Sequence, residues 1–127
     1  MLVVTPTNRE VHVFIDVAVE SESVLTIVES PATFKAGVAA TTPQNVNRSS
    51  SVTPGTITRR GVPFGAGSGT TIGSFYVAAG SGPLAGGGGV GNTFHEIFAS
   101  GTTYGIHVAN AGNAQVSINI EFYESFA

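Results

Sequence analysis

Apolar side chains recur at every second position in two stretches near opposite ends of this 127-residue chain. In residues 11–19 Val11, Val13, Ile15, Val17 and Val19 share one parity, with His12, Phe14, Asp16 and Ala18 on the other. In residues 116–122 Val116, Ile118, Ile120 and Phe122 alternate with Ser117, Asn119 and Glu121. A strand points successive side chains to opposite faces, so this period sets one apolar face on a core and the other toward water. No segment carries apolar residues at helical spacing over three turns. The chain therefore reads as all-β.

Residues 101–124 predict a hairpin. Tyr104, Ile106 and Val108 fall on one parity, Asn110-Ala111-Gly112-Asn113 interrupts, and the alternation resumes at Val116. Asn and Gly tolerate the positive φ that a short reversal needs. The second arm is the best-patterned segment of the chain, and the expectation is that it forms the centre of a sheet.

Other strands are expected at residues 11–19, 24–29, 33–38, 56–60, 70–79 and 94–99. Residues 24–29 (VLTIVE) are apolar on both parities, as in a strand covered on both sides or paired deep in a sheet. Gly37 and Gly73 mark bends or weak points within their strands. Long stretches rich in Gly, Ser, Asn and Pro at residues 39–69 and 80–91 read as loops, and loops of that length are where a partner surface is sought first. The expected architecture is a single domain over residues 1–127, a jelly-roll-like antiparallel β-sandwich of about eight strands with Greek-key connections.

Composition narrows the function. A chain of this length buries roughly two-thirds of its unfolded surface in one core. The absence of Cys removes thiol chemistry, Cys-ligated zinc and disulfide scaffolds. Charged residues make up 10% and the net charge is -3, which disfavours long-range attraction to nucleic acid or an anionic membrane. The apolar start MLVV is too short for a signal h-region or a membrane span. An apolar fraction of 42% with so few charges points instead to a chain whose neutral surfaces are covered by other subunits.

Chemical motifs fail in their context. The glycine runs at residues 65–69 and 86–91 lack the following helix and the Gly-Lys-Ser/Thr ending of a phosphate loop. His95-Glu96 opens like a zinc-protease HExxH, but Ala99 stands where the second His belongs, and neighbouring strand residues point apart. His12 and His107 are each the outward member of an alternating strand. The letters GAGSG place Ser68 one position off the centre of a nucleophile elbow. Neither a metal nor a cofactor is expected, nor an enzymatic activity.

The remaining distinctive residues read as contacts. Asn45, Asn47 and Arg48 combine Asx-turn formers with a planar guanidinium, which suits a loop anchor or subunit contact. Arg59 and Arg60 are the only paired positive charges. On a strand they point to opposite faces, so at least one is expected to be exposed and available to a neighbouring subunit.

Two stretches carry a resemblance: Asn45-Val46-Asn47-Arg48-Ser49-Ser50, and the ending from Thr103-Tyr104 through Asn110 to Glu121-Phe122-Tyr123-Glu124. They resemble small virion proteins of tailed bacteriophages, in which a loop similar to NxNRxS lies mid-chain and the C-terminus ends in a pattern similar to EFYE. The similarity is loose elsewhere, and little sequence precedes the first strand where such proteins often have more. The resemblance implies a decoration or cement protein on the outer surface of the capsid, made in the host cytoplasm. It would dock as a homo-oligomer, dimer or trimer, over joints between major capsid proteins, with no nucleic acid or membrane as partner. An alternative is a carbohydrate-binding or receptor-binding module of a phage tail or fibre, since jelly rolls often serve as lectins.

Overall fold

The computed structural model describes residues 1–32, 40–41, 43–44, 49–61, 64, 68–79, 93–110 and 114–126. The described chain forms nine strands: β1 (Leu2–Val4), β2 (Arg9–Val19), β3 (Ser23–Glu29), β4 (Ala40–Thr41), β5 (Ile57–Arg59), β6 (Thr70–Val77), β7 (Thr93–Phe98), β8 (Thr103–Asn110) and β9 (Val116–Phe126). They make two antiparallel sheets, a six-stranded one in the order β4-β5-β1-β8-β3-β6 and a three-stranded one in the order β7-β2-β9. The expected all-β sandwich is what forms.

Its topology follows a nested pairing. β1 pairs with β8, β2 with β7, β3 with β6 and β4 with β5, all antiparallel. A long hairpin rolled over on itself produces that set of partners, which is the jelly-roll wrap. β9 is an addition to it, laid along the other edge of β2 over eleven register pairs from Arg9↔Phe126 to Val19↔Val116.

The core lies where the parity pattern placed it. Val11, Val13, Ile15, Val17 and Val19 of β2 are buried and meet Val3, Leu25, Ile27, Val77, Tyr104 and Ile106 of the larger sheet. Phe98 and Tyr104 stack face to face between the sheets, with ring centroids 3.9 Å apart. The Tyr104 hydroxyl accepts a hydrogen bond from the Ala99 amide at 2.9 Å and donates one to the Glu29 carboxylate at 3.0 Å, so the polar end of this buried ring is satisfied.

Two expectations change, and the strand count is refined. The terminal pair is not a hairpin: β8 lies in the larger sheet between β1 and β3, and β9 lies in the smaller sheet against β2. Of the expected interruption, Asn110 ends β8, and residues 111–113 lie outside the described residues. Nor is β9 central. β2 occupies the middle of the smaller sheet, and β9 is an outer strand whose inward residues Ile118, Ile120 and Phe122 are only half-buried. Finally, β1 and the two-residue β4 bring the strands to nine, while the strand expected at residues 33–38 lies outside the described residues.

β3 differs more subtly. Leu25 and Ile27 face the core and Val24 is exposed, so its outer face is open at one end. At the other end Val28 is buried. A bulge between Ile27 and Val28 leaves Ile72 of β6 unmatched, and Phe64 packs across Gly105, which lies opposite Val28 on β8. A Cβ on Gly105 would come within 2.9 Å of the Phe64 ring, which is why the close approach requires glycine there.

Candidate functional site

Six strands cannot be covered by three. The larger sheet extends beyond β1 through β5 to its β4 end. Between that end and β9 runs a groove of about 800 Å³. Met1, Thr41, Thr58 and Arg60 line one side, and every residue from Ile118 to Glu124 lines the other. Consecutive strand residues point to opposite faces, so seven in a row can border one space only if that space lies along the edge of the strand. The groove therefore follows the edge of β9 that no described strand pairs.

One end of the groove is closed by Glu124. Its carboxylate accepts from Arg9 at 2.7 Å through Oε2, and from the Thr56 amide at 2.6 Å and hydroxyl at 2.7 Å through Oε1. Its side chain is 8% exposed. Burial works to raise the carboxyl pKa, but the Thr56 hydroxyl and amide and the Arg9 guanidinium together outweigh it and hold the group below its ordinary 4.5. These bonds tie the end of β9 to the start of β2 within the smaller sheet and to the approach to β5 in the larger one.

The outer face of the smaller sheet forms a second surface. His12 stacks on Tyr123 at 4.5 Å between centroids and Phe14 stacks on His95 at 4.5 Å, with the two histidines 5.8 Å apart. The registers explain the cluster, since β2 sets His12 between Ile97 and Tyr123, and Phe14 between His95 and Glu121. Ile97 is 54% and Tyr123 51% exposed, so this is an aromatic and aliphatic patch open to water. On the larger sheet Tyr76 is 62% exposed, and hydrogen bonding to Glu22 raises its phenol pKa.

The sequence-predicted contact residues divide. Arg59 is half-buried on β5, paired in register with Leu2 and Ala40. Arg60 follows it, exposed and lining the groove, as expected for at least one of the two. Asn45, Asn47 and Arg48 lie outside the described residues. His95 and Glu96 point apart, His95 outward onto Phe14 and Glu96 opposite Val13. His107 lies on the other sheet, edge-on to Phe64. Among the described residues no three of His, Asp and Glu converge as metal ligands would.

Sequence reasoning missed the groove, the Arg9–Glu124–Thr56 knot and the four-ring cluster. Each depends on which strands lie side by side. The only local signal was at Glu124, a carboxylate that breaks parity by occupying the inward position opposite Val11. Comparison of the chain with protein-family models, with curated proteins and with solved structures found no match.

Proposed function

We propose that this chain is a structural protein that acts by docking, decorating and cementing the capsid of a tailed bacteriophage as a homo-oligomer on the outer surface. What carries the reading is the unsatisfied surface of the sandwich: an eleven-residue edge strand bordering an open groove, beside an aromatic patch at Ile97 and Tyr123. Solitary proteins blunt such edges with charge, whereas assembled ones pair or cover them. The phage assignment itself rests on the NVNRSS and EFYE resemblances.

The mechanism is additive. A subunit that bridges two or three shell proteins through individually weak contacts multiplies them by effective concentration, so the lattice resists the pressure of packaged genome. Particles stripped of this protein are expected to burst at lower temperature or milder osmotic shock than intact ones. Identical bursting curves would overturn the reading.

One observation favours a carbohydrate-binding head instead. Tyr123 presents an exposed ring beside Glu121 and Asn119, an arrangement on which a sugar can stack and hydrogen-bond. Glycan-array binding that disappears in Tyr123→Ala would select that reading.

A further inference from the structure

The geometry points to the groove along β9 as a receptor for one extended peptide segment of a partner protein, captured by strand addition. In an antiparallel ladder every second residue directs both its amide and its carbonyl to the same neighbour. β9 therefore spends half of its peptide groups on β2 and turns the other half toward the groove. No described strand takes them. A wall of alternating donors and acceptors is matched by another extended backbone, and by little else.

The rest of the lining agrees with a strand as occupant. On the core side of β9, Ile118, Ile120 and Phe122 are half-buried and would be completed by apolar side chains on alternate positions of the incoming strand. The charged side chains of the lining balance: Arg9 is engaged with Glu124, and Arg60 and Glu121 are of opposite sign, while the Met1 ammonium is bonded to the Ile106 carbonyl. Selection thus falls on backbone and on apolar alternation rather than on net charge. Thr41, Thr58 and Arg60, from the β4–β5 side, line the same groove.

The probe is a synthetic peptide with the sequence of residues 9–19, REVHVFIDVAV, whose alternation already matches β9 on its other edge. Two further versions carry N-methyl groups on alternate residues, one set on each edge of the peptide strand. Hydrogen exchange of the whole chain with the unmodified peptide should show new protection at every second amide within residues 116–126. One N-methylated version should bind about tenfold more weakly or worse and the other nearly normally, because only one edge of the peptide joins the ladder. No binding at millimolar peptide, equal binding by both methylated versions, or protection located on other strands would overturn the proposal. So would the same alternate protection rising with protein concentration in the absence of peptide, which would make a second copy the occupant. The assay uses the isolated chain, so its failure is separable from that of the shell reading, which is tested on particles.

Discussion

Glu124 shows how one side chain can hold two sheets together. Three donors from two separate stretches, Arg9 and Thr56, converge on its carboxylate. Replacing it with Gln should cost about 1–3 kcal/mol at neutral pH, read from urea unfolding, since hydrogen bonds to a charged acceptor become neutral ones. The pH dependence follows from the lowered pKa. A carboxylate depressed in the folded state contributes its stability in full above the unfolded value near 4.5 and loses it as pH falls through the lower folded value. The parent chain should therefore weaken in acid, and Glu124→Gln should weaken less over the same interval. Parallel stability curves for the two would refute the role. The sequence marks this residue only as an acid out of phase, because what satisfies it arrives from residues 9 and 56.

Among the elements, β2 and β9 look equivalent in sequence and are not equivalent in the fold. Both span eleven residues, with apolar side chains at alternate positions over Val11–Val19 and Val116–Phe122. β2 has a strand on each side and its inward residues Val11 to Val19 are buried, whereas β9, among the described residues, has a strand on one side only. Ile15 sits at the middle of β2, opposite Phe94 and Ile120. Ile15→Ala should cost about 3 kcal/mol, as expected of a cavity in a packed core. Ile97→Ala, on the exposed outer face of the same sheet, should shift stability by about 0.5 kcal/mol or less. Denaturant midpoints of the two variants check the contrast, and similar losses would mean that the outer face is itself covered. The hairpin expected at the C-terminus failed for a related reason: a turn between two alternating segments fits a strand pair within a sheet and a crossover between sheets equally well.

At the scale of the molecule, the jelly-roll wrap makes the short strand at the N-terminus a keystone. β1 spans Leu2–Val4, yet it joins β5 on one side to β8 on the other. Its neighbour Met1 also exchanges backbone hydrogen bonds with Ile106, at 2.8 and 2.9 Å. Deleting residues 1–4 should detach the β4–β5 end, remove one wall of the groove, and lower the thermal midpoint by about 10 °C or more. Circular dichroism melting tests this, and an unchanged midpoint would show that β5 is held by other means.

From its own letters the chain determined which side chains face the core. Alternation fixes facing locally, residue by residue: the parity read at 11–19 holds throughout β2, and in β9 it holds at Ile118, Ile120 and Phe122, while Val116 at the strand's start is exposed. It determined the class as well, since nothing in the sequence has the period of a helix. Adjacency was decided only by the tertiary structure: that β9 lies beside β2 rather than β8, that β9 ends its sheet, and that His12, Phe14, His95 and Tyr123 meet. Period two is blind to which strand lies alongside, because any antiparallel neighbour of matching parity satisfies the same pattern. The choice between them is made by the burial that the whole wrap achieves at once.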